Sequence, residues 1–256
     1  MKRIIAAIIL SIVLFADAQQ IVKLTGKKEI LKVENLKSNP DGSISYDFNG
    51  KHWTAPEFSY DYARVPKPRA ILAADRFLKK GDYRKAEKLY QIEYEKYKNL
   101  GWGVYCITGI ARALDQAGDL KRAVKQIELL KNYESTDPYL EKDFANAKFL
   151  YVDLLIKAKD YQNALALTET MLNSKENAVV FFAFERKGNI AFLQKDKKKA
   201  VRNYLQAYFL IPSHPRKAEV LYKAVILLKE MKDKRWQQFA NILKKQYPNS
   251  GYAGKL

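Results

Sequence analysis

A chain of 256 residues with 48% hydrophobic side chains holds enough apolar material for a packed core, which excludes global disorder. Lys and Arg number 46 against 28 Asp and Glu, and the resulting charge of +18 favours anionic surfaces or acidic proteins as partners. The single cysteine, Cys106, excludes an intrachain disulfide and a paired-thiolate metal site, and its apolar surroundings (VYCITGIA) suit a buried structural thiol.

The chain opens with the three parts of a secretory signal peptide. Lys2 and Arg3 precede an apolar run over residues 4–15, and Ala16-Asp17-Ala18 puts small residues at −3 and −1 of a cleavage point. The run is too short to span a bilayer comfortably. The expectation is cleavage after Ala18 and export of a soluble protein to a bacterial periplasm. Cys106 lies far downstream, so no acylated cysteine is expected to anchor it. Removing residues 1–18 lowers the charge by only one. In that compartment nucleic acid is not the expected partner; anionic lipid, lipopolysaccharide, cell-wall polymer or an acidic protein is.

Residues 19–66 read as a small β domain. IVKLTG, EILKVENL, SISYDF and KHWTAPEF are short and β-rich, and NPDGS (39–43) and FNGK (48–51) are turn phrases. Ile44, Tyr46 and Phe48 alternate with Ser45 and Asp47, so one face is buried. About four strands either close a small SH3-like barrel or pack as a curled sheet. So small a unit is marginal alone, and it is expected to cap the N-terminal end of a helical array or to contact a second partner. Pro66 and Pro68 in RVPKP (64–68) mark the boundary.

Residues 67–256 read as a helical repeat domain, helical almost throughout from Arg69 to Gln246. The predicted helices are 69–80, 83–98, 104–117, 120–131, 137–158, 161–173, 177–194, 197–210, 215–231 and 234–246, or about five pairs. One phrase recurs inside them: KKGDYRKAEKLY (79–90), QAGDLKRAVKQI (116–127), KAKDYQNALALT (157–168) and LQKDKKKAVRNY (193–204). In each, an Ala follows the Asp by four residues, and Ala86, Ala123, Ala164 and Ala200 are spaced by 37, 41 and 36. Asp233 continues the series with Gln237 in place of the Ala. Periods of this size mark stacked helical hairpins. The phrase is then the turn within each pair, with Asp capping the second helix and Ala allowing close approach.

These positions resemble the tetratricopeptide repeat. In the fourth pair Gly188, Ala200, Tyr204, Ala207 and Pro212 match that family's small, Ala, aromatic, Ala and Pro positions. Ala74, Phe77, Ala86 and Tyr90 match in the first pair, Ala111, Leu114 and Ala123 in the second, and Leu155 and Ala164 in the third. The early Trp is absent, Val152 stands where a small residue is usual, and the period exceeds the family's 34 or so. The resemblance implies a mainly α solenoid over roughly residues 69–247. The final stretch, with Tyr247, Pro248, Ser250 and Ala253, is similar to repeat ends in bacterial envelope proteins, namely Tol-Pal-linked cell-division coordinators and lipoproteins of outer-membrane assembly.

Two binding surfaces are implied. The family's inward positions map to Tyr105, Thr108, Arg112, Asn146, Phe149, Asp153, Glu185 and Asn189. This mix of aromatic, amide and charged groups suits a peptide, although Tyr105 and Phe149 equally suit inter-repeat core. The second surface is the edge formed by the turns, with Lys80, Arg84, Lys121, Arg122, Lys197, Lys198, Lys199, Arg202, Lys234 and Arg235. It reads either as a basic stripe for an anionic partner or as a solvated face. His52 and His214 have no motif context, and no phosphate loop or nucleophile–base pair is legible. The expectation is a non-catalytic adaptor of the cell envelope, without cofactor or metal, that binds a protein or peptide. The alternative is a charge-driven binder of anionic lipid, lipopolysaccharide or wall polymer.

Overall fold

The computed structural model describes residues 19–132 and 136–256. The expected signal peptide, residues 1–18, lies outside the described residues. The chain divides into two compact units, one running to Leu150 and one from Tyr151 to Leu256.

The first unit begins with five antiparallel strands: β1 (Gln20–Leu24), β2 (Leu31–Ser38), β3 (Ile44–Phe48), β4 (Lys51–Ala55) and β5 (Tyr60–Arg64), in the order β4-β3-β2-β1-β5. Strand β2 serves both halves of the sheet. It pairs with β1 through Leu31 to Val33 and with β3 beyond that, and its register shifts between Glu34 and Lys37, where Asn35 takes φ 53°. The twist of such a bulge curls the sheet over Val22, Val33, Leu36, Ile44 and Tyr46. Asn49 and Gly50, both at positive φ, make the two-residue β3–β4 turn. The fifth strand is a departure from the four expected. Pro56 ends β4 and turns the chain, so KHWTAPEF is not one strand, and β5 returns to pair with β1.

The β strands lean on the helices of the same unit. The Val65 amide donates to the Leu100 carbonyl at 3.3 Å, and the Trp102 indole N–H donates to the Val65 carbonyl at 2.9 Å. Gly101 has φ 83°, and a Cβ there would meet the Arg64 side chain at 2.9 Å, so glycine alone suits this crossing.

The helices are α1 (Arg69–Lys80), α2 (Tyr83–Tyr97), α3 (Gly103–Gln116), α4 (Leu120–Glu128) and α5 (Glu141–Lys157), then α6 (Tyr161–Met171), α7 (Asn177–Leu193), α8 (Lys197–Leu210), α9 (Lys217–Glu230) and α10 (Arg235–Gln246). Odd-numbered helices open a pair and even-numbered ones close it. Two bounds differ from expectation by three residues or more: α4 tightens into a 3₁₀ turn from Leu129, and Pro138–Leu140 form a separate 3₁₀ turn before α5. No helix among the described residues is long and apolar enough to cross a membrane.

The recurring phrase is a compound cap. Before each Asp stands a residue in the left-handed region: Gly81, Gly118, Lys159, Lys195 and Lys232, with φ of 84°, 86°, 61°, 65° and 56°. The Asp amide then reaches back to close the first helix, as in Asp119 N–H to Leu114 O and Asp196 N–H to Ala191 O, both 2.9 Å. This is a Schellman closure. The Asp carboxylate next opens the second helix. Asp82, Asp119, Asp160 and Asp196 accept from the amides of Lys85, Arg122, Asn163 and Lys199 at 2.9–3.4 Å. Ala86, Ala123, Ala164 and Ala200, one residue further on, have no exposed surface. In the fifth turn Asp233 accepts from the Arg235 amide instead, and Gln237 is exposed.

Candidate partner-binding site

In the first unit α1, α2, α3 and α5 surround a pocket of about 470 Å³. Tyr105, Thr108, Arg112 and Asn146 all line it, with Asp75, Lys79, Tyr83, Gln116 and Asp143. Its floor is made by Gly109, where a Cβ would lie 2.7 Å from the Tyr90 ring; glycine lets that ring sit against α3.

Asp75 organises one wall. Its carboxylate accepts from Tyr90 Oη at 2.5 Å, Tyr105 Oη at 2.8 Å and Lys67 Nζ at 2.8 Å. Burial pushes the Asp75 carboxyl up, but these three hydrogen bonds outweigh it and hold the group below the usual carboxylate range. Lys67 also lies 3.8 Å above the centre of the Tyr105 ring. Tyr105 is thus half-buried and spoken for at both its hydroxyl and its face. Thr108 is buried and donates to its own helix at Val104 O, 2.7 Å. Arg112 and Asn146 are exposed and turned to solvent. Phe149 is half-buried. Burial, opposed by the charges of Arg64 and Lys67, pushes the Asp143 carboxyl up.

In the second unit the three remaining expected residues divide. Arg186 holds Asp153 in a fork, at 2.5 and 3.0 Å. Glu185 is fully buried, with Arg216 at 2.6 Å, Arg186 at 3.0 Å and Lys223 at 3.1 Å. A carboxylate there binds together α7 and α9 and offers no atom to solvent. Asn189 accepts from Tyr204 Oη at 2.9 Å and lines a pocket of about 490 Å³ with Phe192, Leu193, Tyr222, Lys223 and Ile226. This pocket is apolar, and Phe192 and Leu193 are 48% and 49% exposed.

Helices α1 and α9 carry the same repeat positions. The residue 37 before Arg112 is Asp75, and the residues 37 after Glu185 and Asn189 are Tyr222 and Ile226. All three line the pockets, so the period itself carried the missing signal.

The basic edge is uneven. Lys80, Arg84 and Lys121 are exposed. Arg122 is paired with Glu87 and Asp119, Lys197 with Glu230 at 3.0 Å, and Arg235 with Asp233 at 2.6 Å. Lys198, Lys199, Arg202 and Lys234 are exposed and have no ion pair among the described residues.

Solved structures share this fold. BtubC (BKLC) from P. vanneervenii superimposes with a TM-score of 0.57 at 20% identity, over 69% of this chain and 78% of that one. A Podosopora anserina putative kinesin light chain with nearly identical TPR-like repeats gives 0.53 at 14% identity, over 71% and 96%. The helical region has the tetratricopeptide-repeat fold. MamA from Desulfovibrio magneticus RS-1 gives 0.51 at 17% identity, over 72% and 96%. No family model matches the chain, and no curated protein matches it in sequence.

Proposed function

We propose that this repeat protein is a non-catalytic protein–protein interaction scaffold, exported to the bacterial cell envelope, that holds an extended peptide or partner domain on the faces of its odd-numbered helices. The observation that carries the reading is the pair of pockets on those faces. One presents amide and guanidinium groups at Asn146, Gln116 and Arg112; the other presents exposed Phe192 and Leu193. Hydrogen-bonding groups suit a peptide backbone, and apolar walls suit its side chains. Export rests on the pattern of residues 1–18.

The test is crosslinked pull-down from bacterial envelopes with three proteins: wild type, Arg112→Ala/Asn146→Ala, and Lys197→Gln/Lys198→Gln/Lys199→Gln. The scaffold reading expects the same partner to be lost with the first variant, kept with the second, and retained at moderate salt. Sequencing of the mature protein should begin at Gln19.

A charge-driven reading has one specific observation in its favour. The first turns of α2, α4, α8 and α10 hold Arg84 and Lys85, Lys121 and Arg122, Lys197 to Lys199, and Arg235, with no acid among them. Cations there oppose the helix dipole; Lys85, Arg122 and Arg235 pair with the Asp of their own turn, but Lys198 and Lys199 have no such ion pair among the described residues to account for them. Loss of binding with the Lys variant and with salt, whose screening length is about 10 Å at 0.1 M, while Arg112→Ala/Asn146→Ala still binds and the wild type binds protein-free anionic vesicles, would replace the scaffold with an anionic-surface binder.

A further inference from the structure

Helix α8, KKKAVRNYLQAYFL, carries four cations and no acid. Three of the cations stand in its first turn, at the positive end of the dipole, and Lys198, Lys199 and Arg202 lack a counter-charge among the described residues. Beside them runs an apolar row at helical spacing: Val201, Leu205 and Phe209. Val201 is 5% exposed and Phe209 59%, so the row descends into a recess. The recess is a groove of about 620 Å³, with Lys198, Arg202 and Gln206 along one side and Met231, Asp233 and Arg235 on the other. Arg235 neutralises Asp233 at 2.6 Å, which leaves the groove's net charge to Lys198 and Arg202. Near the C-terminal end of α8 the wall closes, where Phe209 meets Phe239 at 6.1 Å and Tyr208 Oη donates to Gln246 at 2.6 Å.

We infer that this groove docks an acidic amphipathic helix of a protein partner. Three features select that occupant. Unpaired cations flanking an apolar row call for a ridge of Leu, Ile or Phe flanked by Glu or Asp. The floor at Val201 is reached by an inserted side chain, whereas a flat lipid surface would touch only the exposed Phe209 and Leu210. From Val201 to Phe209 the row is about 12 Å long at 1.5 Å per residue, so a helix of about three turns covers it. The groove lies on α8 and the α9–α10 turn and shares no lining residue with the two pockets that carry the scaffold reading, and its test leaves Arg112, Asn146 and Phe192 untouched.

The experiment uses two fluorescent 18-residue peptides with one Leu ridge at i, i+4 and i+8. One has Glu in the flanking rows and the other has Lys. Anisotropy titrations on the full chain are expected to show the Glu peptide binding at least tenfold more tightly, with an affinity that falls as salt rises. Lys198→Glu/Arg202→Glu should invert the preference, and Phe209→Ala should weaken the Glu peptide about tenfold. Lys198→Glu moves an acid to the second residue of α8, so its melting temperature should hold or rise; this separates lost binding from lost folding. If the double reversal does not fold, Lys198→Gln/Arg202→Gln should abolish the salt dependence instead. Equal binding of the two peptides, no inversion, or an unaffected Phe209→Ala variant overturns the inference. So does binding of vesicles of 1:3 phosphatidylglycerol and phosphatidylcholine with neither peptide bound, which would make the patch a membrane surface.

Discussion

Lys195→Gly should make the protein more stable, although it deletes a side chain. Lys195 sits at φ 65° immediately before the cap Asp196, the position that Gly81 and Gly118 occupy in the first two pairs. A side chain with a Cβ in that conformation costs about 1–2 kcal/mol. Glycine removes this strain but widens the unfolded ensemble, which takes back about 0.4–1 kcal/mol. The midpoints of these ranges leave a net gain of about 0.8 kcal/mol. Lys159 at φ 61° and Lys232 at φ 56° hold the same place in other turns and share no partner with Lys195 among the described residues. The three changes should therefore add, giving about 2.4 kcal/mol and a rise of about 5–10 °C in melting temperature by circular dichroism. Lys195→Ala is the control, because it removes the same charge and length but keeps the Cβ; it should gain nothing. Gly118→Ala is the converse. No atom lies within 4 Å of a Cβ there, so its loss of about 1 kcal/mol would come from the backbone alone. Equal melting temperatures for the Gly and Ala variants of Lys195 would refute the reasoning and assign the lysine a stabilising role of its own.

Ala200→Asp should cost more than about 3 kcal/mol in chemical denaturation, since Ala200 has no exposed surface and the change buries an unpaired charge. Glu185→Gln should cost about 3 kcal/mol in the same measurement, because it leaves Arg186, Arg216 and Lys223 around a neutral group. Acid should weaken the second unit through Glu219. A hydrogen bond from Arg216 lowers its carboxyl from the ordinary 4.5 to about 2, burial opposes this, and Lys223 adds to it. A depressed folded-state value gives stability that is complete above pH 4.5 and is lost as pH falls towards 2. Glu219→Gln should flatten the melting temperature over that window, and an unchanged slope would count against the bond.

Helix positions and turns were legible because their causes are local. A helical hydrophobic period, an Asp four residues before an Ala, and Gly at two of the five turns each specify backbone geometry within a few residues. The left-handed Lys159, Lys195 and Lys232 were not legible as such, since nothing in lysine favours that conformation; only the repeat places them there. Strand β5 was missed because its pairing partner β1 lies some forty residues earlier, and sequence around Pro56 does not say where the chain goes next. Glu185 shows the limit at the candidate site. Its position in the repeat is that of a surface residue, yet Arg216 arrives from the next pair and makes its burial tolerable. Such a network depends on side chains 31 and 38 residues apart, beyond the reach of a periodic rule.

The same period separates what the repeat keeps from what it frees. The cap Asp and the residue before it recur in all five turns and the buried Ala in four, because each turn must end one helix and start another in a few residues. One position on the odd-numbered helices, by contrast, reads Asp75, Arg112, Asp153, Asn189 and Ile226 in successive pairs. It passes from charge to amide to hydrocarbon while the backbone around it stays the same. Asp75 is tied to Tyr90 and Asp153 to Arg186, so those two act within the protein. Arg112 is turned to solvent, and Asn189 and Ile226 line the apolar pocket. Under the scaffold proposal Arg112 would meet a carboxylate or peptide carbonyl of the partner, and replacing Arg112 alone should then weaken the partner without moving the melting temperature.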